Sequence, residues 1–199
     1  MSLADELYKS LYGQQPAQPQ RNQWSGFSPL AKVIKPKVFI SYHHKDQVFI
    51  NDFRLRFGAA YDVFTDCSLD EAIESTDLHY VNRTIREDFI TGTSITIVIC
   101  GTDTWRRKCV DWEIYSTLYK DHAILGLILP HVQPVVRDGR PVRLIPDRLH
   151  ANIASGYGHW IEWPQNPQIL KQAIDHALQR SKQYKAYKNN SAAKMQRNI

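Results

Sequence analysis

Hydrophobic and polar positions follow two alternating patterns from residue 37 onward, and these patterns predict strands and helices in turn. Short, nearly continuous apolar runs are typical of buried strands and occupy residues 37–42, 61–65, 94–100, 123–129 and 159–163. The segments between them carry apolar residues on one helical stripe and occupy residues 46–59, 76–89, 104–120 and 167 onward. Strands that alternate with helix-length segments indicate βαβ units and a parallel, doubly wound sheet.

The predicted fold is an α/β three-layer sandwich of the flavodoxin-like type, with helices on both faces of the sheet. Right-handed crossovers between parallel strands predict a five-stranded sheet in the order 2-1-3-4-5. Residues 94–100 are apolar at nearly every position, as expected of a central strand covered on both sides. Residues 131–144 are irregular, and Asp138 and Gly139 between short valine runs predict a small hairpin there.

The remaining segments predict four parts along the chain. Leucines recur four residues apart in residues 1–13, which predicts a short amphipathic helix. A helix of this length is marginal in water, so we expect it to dock on its own domain or on a neighbouring protomer. Residues 14–34 are predicted to be a linker, residues 35–184 the folded domain, and residues 185–199 a basic, disordered tail.

The net charge of +5 is concentrated at one end of the chain. Residues 181–199 contain four lysines, one arginine and no acidic residue, whereas the first 180 residues carry 20 basic and 20 acidic side chains. Such a tail is expected to be solvated, with a weak phosphate contact as the alternative. We therefore expect no nucleic-acid groove.

Apolar runs and cysteines both bear on the expected compartment. No run approaches the roughly 18 residues that span a bilayer, so we expect no membrane segment. The N-terminus carries Asp5 and Glu6 and no apolar core, unlike a secretory signal. The three cysteines form no CxxC pair, which fits free thiols in a reducing compartment. These observations predict a cytoplasmic protein.

Several common chemistries lack their sequence motifs in this chain. It has no GxGxxG after a strand, no GxxxxGK[ST] and no GxSxG, which disfavours a Rossmann dinucleotide site, a P-loop and a hydrolase elbow. His43 and His44 are adjacent, so on an extended segment they point in opposite directions. Because no HExxH or cysteine partner accompanies them, we expect no metal site.

Ligands in doubly wound sheets bind at the carboxyl ends of the strands, where the winding reverses. This rule brings residues 41–44 beside residues 101–103, and the polar segment 66–77 can fold over the same cleft.

Besides the segments at the strand ends, Glu113 is a candidate functional residue. It shares a helical stripe with Cys109 and Val110, and this stripe should face the sheet. A carboxylate in such a position costs free energy unless it is paired or used. The helix leaves open a purely structural ion pair with Arg106 or Arg107.

Two motifs of this chain resemble those of TIR domains. Residues 38–42, Val-Phe-Ile-Ser-Tyr, followed by Asp46, resemble the first TIR box. Residues 95–114, which end in Cys-Val-Asp-Trp-Glu-Ile, resemble the strand-C and helix-C signature. Over residues 35–130 the motifs are most similar to the TIR-like branch of the Thoeris antiphage systems, the ThsB type. The second and third boxes of animal adaptor TIR domains are absent.

The resemblance implies an enzyme of the NAD+ glycohydrolase or ADP-ribosyl cyclase type, with NAD as its substrate and no cofactor. It implies that Glu113 is the catalytic carboxylate, which stabilises the positive charge that develops on the ribose. The candidate substrate-binding residues are Ser41, Tyr42, His43, Asp77 and Trp105.

Four of these five binding residues also have an ordinary structural interpretation. Tyr42 and Trp105 fit core or rim packing, His43 fits an exposed loop position, and Asp77 fits a helix cap. The residues by themselves leave these alternatives open.

The Thoeris resemblance also implies partners. It favours a diffusible, ADP-ribose-derived signal that activates a separate effector in antiphage defence, made by a homo-oligomer with TIR–TIR contacts and a phage-derived trigger. The residues do not choose between ADP-ribose, a cyclic isomer and a conjugate. Two alternatives stay open: a non-catalytic TIR-like module that acts by self-assembly, and a flavodoxin-like protein that binds a nucleotide without cleaving it.

Overall fold

The computed structural model describes residues 36–58, 62–65 and 90–199. The strands in these ranges are β1 Lys37–Ser41, β2 Asp62–Thr65, β3 Ile95–Cys100, β4 Ala123–Ile128, β5 Val135–Arg137, β6 Arg140–Val142 and β7 His159–Glu162. The α-helices in the same ranges are α1 Gln47–Phe57, α2 Lys108–Tyr119, α3 Asp147–Ala154 and α4 Pro167–Gln183.

The main sheet is parallel and has the strand order β2-β1-β3-β4-β7. Every residue of β3 and β4 is buried, as expected of central strands that are covered on both faces. The predicted α/β class, a parallel sheet with helices packed on it, is confirmed.

Helices α2 and α3 pack on one face of the sheet. The Thr96 hydroxyl on β3 lies 2.6 Å from the Thr117 hydroxyl on α2. Gly126 on β4 points to the same face, where a Cβ at this position would lie 3.1 Å from Leu149 of α3. The small glycine therefore lets α3 approach the sheet closely.

Helices α1 and α4 cover the opposite face. His159 on β7 stands opposite Leu125, the neighbour of Gly126 on β4, so it points away from α3. The His159 ring lies 4.4 Å from the His176 ring on α4. Right-handed crossovers place α1 on this face too, and the Arg56 side chain of α1 donates to the Gln165 carbonyl just before α4.

Local sequence signals account for two of these elements. The Asn166 side chain accepts a hydrogen bond from the Ile169 N–H and caps α4, with Pro167 at the first helical position, as predicted. Asp138 and Gly139 both have positive φ, which suits the tight two-residue turn between β5 and β6. The predicted hairpin is therefore confirmed.

Two features differ from the sequence-based predictions. Helix α3 was not predicted, because it is short and two of its buried residues, Arg148 and Asn152, are polar. The tail expected to be disordered packs instead against α2 and α3, and its Lys185 and Lys188 pair with Asp121. The amino-acid composition of the tail predicted solvation because composition contains no information about contacts with distant residues.

The predictions for residues 1–34, and for the loop and helix start at residues 66–77, lie outside the described residues. Among the described residues, no helix combines the length and the apolar character needed to cross a bilayer.

Candidate functional site

The turn between β3 and α2 determines where α2 begins. The Gly101 N–H donates to the Thr104 hydroxyl at 2.9 Å, and this hydroxyl donates back to the Ile99 carbonyl at 3.1 Å. Both bonds are buried, so the turn is tightly held. From here the chain enters α2 and returns along the sheet, as the crossover from β3 to β4 requires.

Glu113 lies on the sheet side of α2 and is only 1% exposed. One turn further along the helix, Thr117 contacts Thr96 of β3. A helix rises about 6 Å over four residues and a strand about the same over two. Glu113 therefore lies near the level of Val98, and Val98 is paired with Ser41 in the sheet.

Ser41 and Glu113 thus share one face of the sheet near the carboxyl ends of β1 and β3. Ser41 is fully buried, and its hydroxyl has no hydrogen-bond partner among the residues that the structure describes. A buried hydroxyl without a partner is unusual, and this makes Ser41 a candidate ligand contact.

The arginines that were considered as structural partners of Glu113 bond elsewhere. Arg106 and Arg107 both pair with Asp103, and Lys45 reaches the same carboxylate at 3.1 Å. Hydrogen bonds from Arg106 and then Lys45 hold the pKa of Asp103 below its ordinary value. These cations therefore serve the loop after β3.

Tyr42 and His43 are both buried at the end of β1. The Tyr42 hydroxyl donates to Gln47 Oε1 at 2.6 Å, which ties β1 to the first turn of α1. His43 is 1% exposed, and its Nδ1 accepts a hydrogen bond from the Lys45 N–H at 3.1 Å. The interpretation of His43 as an exposed loop residue is therefore wrong.

Asp46 forms a brace between the segments that follow β1 and β3. It is buried, and its Oδ2 lies 3.5 Å from the Thr104 hydroxyl. A Cβ on Gly101 would overlap the same carboxylate, so a larger residue here requires Asp46 to move. Burial raises the pKa of Asp46, and the charge of His131 and the Thr104 hydroxyl oppose that rise.

The contact between Asp46 and Gly101 was not predicted, because both residues entered the sequence analysis only as parts of the TIR-like motifs. A glycine directly after a buried strand, with a buried aspartate after the neighbouring strand, is the signal that could have indicated it.

Trp105 lies on the other side of α2 from Glu113. It is half-buried, and the Arg106 guanidinium lies 5.6 Å from its ring centroid. It lines a cavity of about 300 Å³ whose wall also includes Asp111, Arg148 and Met195. Asp111 and Glu113 are two residues apart, which is about 200° around a helix. The structure therefore brings Ser41, but not Trp105, to the side of Glu113.

The last predicted site residue, Asp77, lies outside the described residues. Within the described ranges, no group of three or more His, Cys, Asp or Glu side chains is arranged to hold a metal ion.

The domain resembles TIR domains in its parallel α/β sheet, in the Ser-Tyr end of β1 and in the buried glutamate on the helix after β3. Residues 39–134 match the family model described as "Thoeris protein ThsB, TIR-like domain". Residues 39–134, just under half of the chain, are therefore a TIR-like domain of the Thoeris ThsB type.

A curated relative agrees with this assignment. ThsB1 of Bacillus cereus (strain MSX-D12), whose name makes it a candidate cyclic ADP-D-ribose synthase, is 31% identical over 101 residues. The match covers 46% of this chain and 50% of the relative, so it spans about half the length of each.

Proposed function

We propose that this protein cleaves the nicotinamide–ribose bond of NAD and that Glu113 is its catalytic carboxylate. The observation that carries the proposal is a glutamate that is 1% exposed on the sheet side of α2, within the segment that matches the ThsB family. Keeping a carboxylate out of water costs free energy, and functional sites are where proteins retain such groups.

The chemistry needs little more than electrostatic stabilisation. The bond between nicotinamide N1 and ribose C1′ breaks, and its electron pair neutralises the pyridinium nitrogen. Positive charge then builds on the ribose, where the Glu113 carboxylate stabilises it and orients the ribose hydroxyls. A preorganised group of this kind lowers the activation free energy by on the order of 3 kcal/mol. No metal ion or strong general acid is required.

The buried residues at the end of β1 supply the next contacts in this proposal. Ser41 lies on the same face as Glu113, and its hydroxyl can bond to the ribose. Tyr42 and His43 follow it along the chain, while Asp77 and Trp105 remain substrate-binding predictions from the family resemblance.

The second step determines the product. Attack on C1′ by water, with loss of a proton, gives ADP-ribose, whereas attack by an adenine nitrogen or a ribose hydroxyl gives a cyclic isomer. We favour a cyclic product because the name of the B. cereus relative refers to cyclic ADP-D-ribose. The product would act as a diffusible signal that activates a separate effector in antiphage defence.

The proposal includes a cytoplasmic homo-oligomer that responds to a phage-derived trigger. Val48 and Leu55 on α1 are 76% and 85% exposed and lie seven residues apart on one stripe. This stripe also favours the second candidate function, a non-catalytic TIR-like module that acts by self-assembly.

Incubation of the full chain with NAD, with and without extract of phage-infected cells, tests the activity. Mass spectrometry should detect nicotinamide and an equimolar product that is lighter than ADP-ribose by one water. A product with the mass of ADP-ribose would contradict cyclisation, and intact NAD under both conditions would contradict the proposed NAD-cleaving activity.

A further inference from the structure

The final segment of the chain follows the outer side of the helix that carries Glu113. We call residues 189–199 the C-terminal strap. Its residues meet α2 at three levels, in the pairs Asn190 Nδ2 to Tyr115 O (3.1 Å), Trp112 Nε1 to Met195 O (2.8 Å) and Lys108 N to Asn198 Oδ1 (2.8 Å). The strap therefore runs antiparallel to α2, from its second half to its first residue.

The guanidinium of Arg148 joins the strap to two helices. Arg148 extends from α3 and is 3% exposed, and its Nε and Nη2 bond to the two oxygens of Asp111 on α2 at 2.9 and 3.3 Å. Its other N–H groups bond to the strap at Asn190 Oδ1, Ala192 O and Ala193 O. A planar guanidinium with five donors suits this multiple contact.

The first residue of the strap is fixed separately to α3. The Asn152 side chain donates to the Asn189 carbonyl at 2.7 Å and accepts from the Asn189 N–H at 2.9 Å. This pairing satisfies both backbone groups of one residue, as a strand partner would.

The strap also provides the N-terminal cap that α2 lacks locally. Arg107, the residue before α2, makes no side-chain capping bond, and Asn198 accepts from the Lys108 N–H instead. Uncapped helix ends leave N–H groups unsatisfied and fray. Glu113 lies in the second turn of this helix, on the side opposite the strap.

Taking the proposed role of Glu113 as given, we propose that the C-terminal strap is a positioning element that holds α2, and with it the Glu113 carboxylate, in the geometry for catalysis. The sheet side of α2 carries the chemistry, and the outer side is clamped by Arg148 and the strap. Asn198 and Trp112 are positioning residues in this account, because neither lies on the Glu113 side of the helix.

Point variants of the full chain separate positioning from simple stabilisation. Asn198→Ala removes the cap, Asn198→Asp restores an acceptor oxygen, and Trp112→Phe removes the donor to Met195 O. Matched controls are Gln172→Ala on the exposed side of α4 and Trp160→Phe on β7. The readouts, taken below the unfolding temperature, are kcat, KM and the ¹³C shift of the Glu113 carboxyl carbon, assigned by its loss in Glu113→Gln.

We expect the Glu113 signal to shift or broaden in Asn198→Ala and Trp112→Phe, with kcat reduced about 10-fold or more and KM little changed. Asn198→Asp and the controls should match the wild type. An unchanged Glu113 signal, or an unchanged kcat in an active protein, would overturn the positioning role even if the unfolding temperature falls. A shifted signal in a protein that never releases nicotinamide would support positioning and overturn the proposed function instead.

Discussion

Two buried carboxylates, one on the outer side of α2 and one at the strand ends, have very different surroundings. Asp111, on the strap side, accepts hydrogen bonds from Arg148 Nε and Nη2, one edge of the guanidinium. Asp46, at the strand ends, faces the Gly101 backbone and has the Thr104 hydroxyl at 3.5 Å. Burial raises the pKa of Asp46. The comparison teaches that the Asp111 carboxylate on the strap side is compensated by a cation, whereas the Asp46 carboxylate at the strand ends lies in less compensated surroundings, as acidic groups in functional sites do.

The largest expected loss of stability comes from removing the cation that pairs with Asp111. Arg148→Ala leaves Asp111 buried without its cation, and such losses cost about 3–5 kcal/mol of unfolding free energy. The comparison variant is Lys171→Ala, which removes an exposed pair with Asp175 worth about 0–1 kcal/mol. Urea denaturation measures both, and equal small losses in the two variants would show that the clamp contributes nothing special.

A smaller loss is expected from crowding the strand ends. The methyl group of Gly101→Ala would meet the Asp46 carboxylate, and overpacking of this kind costs about 1–3 kcal/mol. Asp46→Ala removes the obstacle, so the same glycine substitution should cost less in that background. A double-mutant cycle by urea denaturation measures the difference. Identical costs in both backgrounds would rule out the brace.

The smallest expected effect is a dependence of stability on pH. Because the pKa of folded Asp46 is raised, the folded state keeps this proton to a higher pH than the unfolded chain does. The stability from protonated Asp46 is therefore present at acid pH and is lost as pH rises through the raised pKa. Asp46→Asn should gain stability relative to the wild type from about pH 3 to about pH 7.

Asp103 provides the control of opposite sign for this pH series. Because the pKa of folded Asp103 is lowered, its stabilising contribution is present above the unfolded pKa and is lost as pH falls. Asp103→Asn should therefore become less stable relative to the wild type as pH rises. Denaturation curves across the pH range that run parallel for all three proteins would contradict both assignments.

The sequence was most informative where one local pattern determines a structure. The continuous apolar run of β3 and the Asn166-Pro167 start of α4 each need only neighbouring residues, and both elements were predicted. The burial of Glu113 followed in the same way, because its stripe on α2 also carries the residues that pack on the sheet.

The clamp could not be predicted because its contacts connect distant parts of the chain. Arg148 and Asp111 are separated by 37 residues, and Met195 and its partner Asp111 by 84. The strap bonds largely through backbone N–H and C=O groups, which every sequence contains and no composition distinguishes. Polar tail residues therefore suggested solvation although they form a fixed structure.

The rate of nicotinamide release by Glu113→Gln, compared with the wild type and with Glu162→Gln, tests the central claim most directly. Glu162 is an exposed glutamate at the end of β7, so its substitution makes the same chemical change away from α2. With triggered protein and NAD, Glu113→Gln should remain folded and lose about 100-fold to 1000-fold in rate, while Glu162→Gln matches the wild type. Release by folded Glu113→Gln at the wild-type rate would contradict the account.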